Sequence, residues 1–190
     1  MSSDARRRNT TLWLIVALAA APAVASYLLY YFWPPARTVN YGDLIEPRPL
    51  PDPLLALADG TAFQLSRLRG KWVLVSLDSG RCDAHCDRKL LYMRQLRLTQ
   101  GKEMERVERA WLIVDDIAPR PDAVAPYTGT WVVRAAGAGL LERFPAAAAA
   151  TDHIYVIDPL GNLMMRFPRD PEPARMIKDL SRLLKASRIG

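Results

Sequence analysis

Apolar positions are patterned in two ways along this chain. From Leu12 to Trp33 no residue carries a charge. As a helix that stretch would be roughly 33 Å long, slightly more than the hydrocarbon core of a bilayer. Beyond it the apolar runs are short. Trp72-Val73-Leu74-Val75 is continuous, the pattern of a central strand covered on both faces. Asp78-Ser79-Gly80 is turn chemistry. From Asp83 onward, Leu90, Leu91, Met93, Leu96 and Leu98 follow a mainly helical spacing, with Arg88, Lys89, Arg94 and Arg97 interleaved. Residues 107–114 predict a second buried strand and residues 131–134 a short one. Residues 137–143 predict a short helix. Residues 153–158 predict a strand that Pro159-Leu160-Gly161-Asn162 turns back along 163–167 as a hairpin. Pro171 and Pro173 introduce a last helix over 174–187, with Met176, Ile177, Leu180, Leu183 and Leu184 on one face. Upstream, residues 54–57 and 61–63 read as a small hairpin around Asp59-Gly60, and 65–68 as a helical turn.

Parallel strands joined by helices, then a hairpin and a closing helix, predict an α/β sandwich of the thioredoxin type. Six prolines lie between Pro34 and Pro53, which predicts an extended tether that packs on nothing. The expected organisation is an N-terminal segment 1–10, a transmembrane anchor 11–33, a Pro-rich tether 34–53 and a thioredoxin-like domain 54–190.

Arg6-Arg7-Arg8 stand just before the apolar stretch. Trp13 marks one of its ends, and Tyr27, Tyr30, Tyr31 and Trp33 the other, as in interfacial aromatic belts. A cleaved signal peptide would use Ala23-Val24-Ala25 as its processing site, but the apolar run continues past it, so the expectation is an uncleaved anchor. Three arginines on the N-terminal side keep that end in the cytoplasm. In a bacterium the rest of the chain then lies in the periplasm, anchored in the inner membrane by a single pass. In a mitochondrion it lies in the intermembrane space. The net charge of +6 is spread along the chain, and no basic block is interleaved with aromatics, so nucleic acid is not an expected partner.

Candidate chemistry concentrates at the junction between the 72–75 strand and the helix that follows. Both cysteines of the chain, Cys82 and Cys86, are there, four residues apart. On one helical face they would be separated by a rise of about 6 Å. That spacing admits a disulfide or one metal ion between two thiolates. A helix start favours thiolate over thiol. In an oxidising compartment such a pair is bridged, held by metal or kept reduced by a partner. A purely structural bridge would close a very short loop and add only about 2 kcal/mol, so a functional dithiol is the expected reading. Asp78, Asp115 and Asp116 read as turn or strand-end residues, Met164-Met165 as core packing, and the alanines at 146–150 as without function. No Ser/His/Asp arrangement, phosphate loop or carboxylate pair is apparent.

The run FQLSRLRGKWVLVSLDSGRCDAHCDRKL resembles the corresponding stretch of the Sco/SenC proteins, membrane-anchored thioredoxin-fold copper chaperones of cytochrome c oxidase assembly. Gly70-Lys71 precedes the strand, and Cys82 and Cys86 form C-x-x-x-C at the helix start. Asp115 ends the next strand, and His153 precedes Ile157-Asp158-Pro159-Leu160-Gly161. Two departures stand out. The family's prolines after each cysteine are Asp83 and Asp87 here, which places negative charge beside the thiols. His153 also lies about three residues nearer the Ile-Asp-Pro than the family's histidine.

The resemblance implies a metallochaperone rather than an enzyme, holding one copper ion, Cu(I) or Cu(II), on Cys82, Cys86 and His153. It would pass the ion to a cytochrome c oxidase subunit or another copper or thiol protein. Two thiolates and an imidazole suit copper. Zinc would want a fourth ligand, and His85, between the cysteines, reads instead as pointing to solvent. Two other readings stay open. In a thiol–disulfide oxidoreductase, Cys82 would attack and Cys86 would resolve. In a non-catalytic assembly factor, only the fold and its surface would matter.

Overall fold

The structure is a computed structural model and describes residues 3–32, 40–146 and 148–187. The chain divides into two units, residues 1–39 and 40–190. The first contains one helix, α1 (Ser3–Phe32), with Pro22 inside it. Its Trp13–Phe32 portion is long and apolar enough to cross a membrane.

The second unit is built on an eight-stranded mixed sheet. Its strands are β1 (Asp43–Pro49), β2 (Leu55–Leu57), β3 (Ala62–Phe63), β4 (Trp72–Asp78), β5 (Val107–Ile113), β6 (Thr130–Arg134), β7 (Ile154–Ile157) and β8 (Asn162–Arg166). Their order across the sheet is β1-β8-β7-β4-β5-β6-β2-β3. β4, β5 and β6 run parallel, while β7 pairs antiparallel with both β4 and β8. The helices are α2 (Ala84–Leu98), a single turn α3 (Pro121–Val124) and α4 (Pro173–Ala186). A thioredoxin-like sandwich preceded by one apolar helix is what the hydrophobic pattern predicts.

β4 is buried at every position, and its alternate side chains enter two cores. Trp72 and Leu74 face α2 and α4, where Leu90, Met93, Leu96, Met176 and Leu180 meet them. Val73, Val75 and Leu77 face the other way, onto Phe63, Val133, Leu140, Phe144 and Tyr155. Covering on both faces is why its first four residues, Trp72-Val73-Leu74-Val75, are all apolar.

One expectation fails. The stretch expected to be an unpacked tether through Pro53 instead supplies β1, which pairs with β8 from Asp43↔Arg166 to Pro49↔Asn162. β1 is an edge strand, so Pro47 and Pro49 need no partner on the open side, and prolines are tolerated there. The register shifts between Leu44 and Arg48. Just before β1, the buried carboxylate of Asp179 on α4 accepts the backbone N–H groups of Tyr41 at 2.6 Å and Gly42 at 2.8 Å. A Cβ at Gly42 would lie 2.9 Å from Met165 Sδ and 3.1 Å from the Arg166 carbonyl oxygen, so a side chain there would require Met165 or β8 to shift.

Candidate dithiol site

The chain leaves β4 at Asp78 and turns back into α2 within five residues. Gly80 makes that turn possible: a Cβ there would sit 1.7 Å from the carbonyl oxygen of Ile117. Asp115 closes the turn from the next strand end, accepting the N–H of Gly80 at 3.0 Å and of Ile117 at 3.2 Å. These bonds, with one from the Ser79 hydroxyl as the largest, hold the Asp115 carboxyl below its ordinary value. Cys82 follows with φ 43°, the left-handed region that non-glycine residues rarely occupy.

Cys82 and Cys86 are joined in a disulfide with their Cα atoms 5.1 Å apart. Cys86 is 1% exposed and belongs to the core, whereas Cys82 is half-buried. The accessible sulfur is therefore that of Cys82. Between them, Asp83 caps α2. Its Oδ1 accepts the N–H groups of His85 and Cys86, each at 2.9 Å. The bond from Cys86 is the main reason its carboxyl lies below the usual range. Asp87 accepts the Tyr127 hydroxyl at 2.6 Å. Burial first, and Asp87 second, push the Tyr127 phenol up to about 12. The two aspartates that replace the expected prolines are thus employed locally: one caps the helix, and the other ties α2 to the segment before β6.

β7 pairs with β4 so that Ile154 lies opposite Ser76. His153, one residue earlier, is therefore at the end of the sheet from which the cysteine turn departs. Its Nδ1 is 2.8 Å from the Phe167 carbonyl. A carbonyl only accepts, so Nδ1 donates to it, and in the neutral imidazole Nε2 is then the nitrogen with the free lone pair. The disulfide has used both sulfurs, and among the described residues no three His, Cys, Asp or Glu side chains converge as a metal-holding group. The structure thus brings Cys82 and Cys86 together and places His153 at the same sheet end without forming a three-ligand cluster. His85 does not point to solvent as expected: its Nε2 is buried and without a hydrogen-bond partner.

Beneath the disulfide lies a pair of residues that the sequence did not mark as functional. Asp78, the last residue of β4, and Lys89, on the inner face of α2, form an ion pair at 2.8 Å, with side chains 7% and 2% exposed. Ser76 donates to the same carboxylate. Burial pushes the Asp78 carboxyl up and the Lys89 ammonium down, and each partner opposes the shift of the other. A usable signal was present in the sequence: Cys86, Lys89, Leu90, Met93 and Leu96 form one i, i+3, i+4 stripe, so Lys89 belongs to the buried face.

Solved structures share this fold. The copper-bound structure of yeast Sco1 aligns with a TM-score of 0.62 at 14% identity, over 75% of this chain and 96% of that one. The copper-bound structure of Bradyrhizobium japonicum ScoI aligns at 0.56 and 19% identity, over 71% and 99%. A putative protein disulfide isomerase from Bacteroides thetaiotaomicron aligns at 0.56 and 18%, over 77% and 95%. At such identities the likeness is one of fold, and it agrees with the Sco/SenC resemblance of the sequence. No curated protein matches the chain. The family model for a transmembrane-like, thioredoxin-like, C-terminal domain matches residues 72–187, more than half of the chain, and the chain belongs to that family.

Proposed function

We propose that this protein is a divergent Sco/SenC-type metallochaperone, anchored in a membrane, whose reduced cysteine pair carries one copper ion as cargo. The observation that carries the reading is the Cys82–Cys86 pair: two sulfurs within bonding reach, one accessible and one buried, at a strand-to-helix turn. Reduction turns the bond into two thiols, and loss of their protons gives two soft ligands, enough for Cu(I). Cu(II) would need more nitrogen or oxygen ligation, and the Nε2 of His153, left free by the Nδ1 bond, is the candidate. Delivery would proceed by exchange of one thiolate at a time for a thiolate of the acceptor, a cytochrome c oxidase subunit or another copper or thiol protein. Residues 11–33 would be the anchor, with residues 1–10 in the cytoplasm and the thioredoxin-like unit in the periplasm.

The test is copper titration of the full chain in detergent after complete reduction. Wild type is expected to bind one ion. Cys82→Ser and Cys86→Ser should abolish tight binding, and His153→Ala should weaken Cu(II) more than Cu(I). A fully reduced wild type that binds no copper ends this reading. N-terminal sequencing of membrane-extracted protein tests the anchor, since a start at Ser26 would mean that it is cleaved.

A second reading, thiol–disulfide exchange, is favoured by the closed bridge and by the difference in exposure between its sulfurs. The Cys82 thiolate would attack a partner disulfide to form a mixed disulfide. Cys86 would then attack Cys82, releasing the partner's second thiol and moving two electrons to the partner. Catalysed reduction of a disulfide substrate, lost in Cys82→Ser, would support it over copper carriage.

A further inference from the structure

A lysine is rarely found fully buried, and Lys89 spends all of its donors in specific directions. An ammonium has three N–H groups. Those of Lys89 go to Asp78 Oδ2 at 2.8 Å, to the Leu77 carbonyl at 3.2 Å and to the Thr151 carbonyl. The first two join α2 to the end of β4, where the chain departs for Cys82. The third reaches the single turn Ala150–Asp152, and the next residue is His153. The same turn is held again where Asp152 meets Arg169 at 3.5 Å. Lys89 also lies three residues after Cys86, on the same face of α2. Among the described residues, Lys89 therefore bonds both the strand that leads into the cysteine turn and the turn that leads into His153. A buried ion pair is seldom worth more to stability than an apolar pair of the same size. Its use here is placement.

We propose that Lys89 is a positioning residue that fixes His153 relative to the cysteine pair through the carbonyl of Thr151, so that the covalent state of the pair is felt at the imidazole. This rests on the reading that His153 serves the dithiol. When a dithiol reductant supplies two electrons and two protons, the Cys82–Cys86 bond opens into two thiols. Cys86 is then released from its partner, the first turn of α2 readjusts, and Lys89, one turn further on, carries the displacement to Thr151.

The chain contains two histidines, so their ring resonances in the isotope-labelled full chain are few, and His153→Ala assigns them. In wild type the His153 ring signals should differ between the disulfide form and the form reduced with dithiothreitol. The variant Asp78→Asn/Lys89→Met removes both buried charges and the donor to Thr151. It should keep the wild-type amide spectrum elsewhere and lose the redox-dependent shift of His153. A shift that persists in the double variant, or that is absent from wild type, overturns the proposal. If the double variant does not fold, wild type decides: the carbonyl resonance of Thr151 must move together with the His153 ring on reduction, and a stationary Thr151 beside a moving His153 overturns it. No copper enters these measurements, so failure of the copper reading leaves their outcome intact.

Discussion

Asp83 sits between two opposing demands. As the cap of α2 it satisfies two N–H groups, one of them from Cys86 itself. As a charge beside the sulfurs it disfavours thiolate. The two roles separate by substitution. Asp83→Ala should cost about 1 kcal/mol of stability in denaturant melts, the usual penalty for losing a cap. Asp83→Asn still caps and should cost less stability than Asp83→Ala, but alkylation of the reduced Cys82 at neutral pH should be faster than in wild type. Equal alkylation rates would mean that the carboxylate, already occupied by two N–H groups, no longer acts on the thiols.

At the scale of elements, β4 and α2 are joined by a bond within the turn and by an ion pair beneath it. The buried pair predicts an asymmetry. Lys89→Met alone strands the Asp78 carboxylate in the core and should cost about 3–5 kcal/mol. Asp78→Asn/Lys89→Met should recover most of that loss, because no charge is left buried without its counterion. Urea melts of the two variants decide it, and equal losses would show that packing rather than charge holds the junction. This pair also marks the limit of what the sequence made legible. The cysteine turn, the helix after it, the parallel strands, the closing hairpin and the last helix all follow from periodicity and turn residues. Lys89 was hidden among Arg88, Arg94 and Arg97, the charged residues interleaved with the apolar ones, although its offset from Cys86 and Met93 puts it inside. β1 was hidden by its prolines, which signal a tether in isolation and an edge strand only when β8 lies beside it. The placement of His153 at the cysteine end of the sheet rests on the pairing of β7 with β4, which the thioredoxin-type topology implies although no local pattern does.

For the whole molecule, the face of the sheet opposite α2 and α4 is closed by short segments rather than by a long helix. Phe144 packs against Tyr155 there, and the Tyr155 hydroxyl donates to the Pro145 carbonyl at 2.9 Å. Burial raises the Tyr155 phenol from 10.0 to about 12. A folded value above the unfolded one means a contribution that is whole below pH 10 and is lost as pH climbs towards 12. Tyr127 adds a loss of the same sign over the same window. Stability should therefore fall across that interval, with tyrosinate absorbance rising in step, and Tyr155→Phe should flatten part of the fall. An identical alkaline profile in Tyr155→Phe would show that this phenol is not what opens the second core.

The grip of Asp179 on Tyr41 and Gly42 decides where this protein can be cut. A fragment begun at Leu54, the boundary the prolines suggest, would discard β1 and leave β8 with an open edge. It would also leave a buried carboxylate on α4 facing two missing donors, a loss that a charged group feels strongly. Such a fragment should be prone to edge-to-edge association. A fragment begun at Asn40 keeps the strand and both N–H groups and should be monomeric with a single cooperative melt, a contrast that size-exclusion chromatography and calorimetry would make visible. The residues that lead into β1 and the last helix are held by one side chain, so trimming the front of the domain unfastens its back.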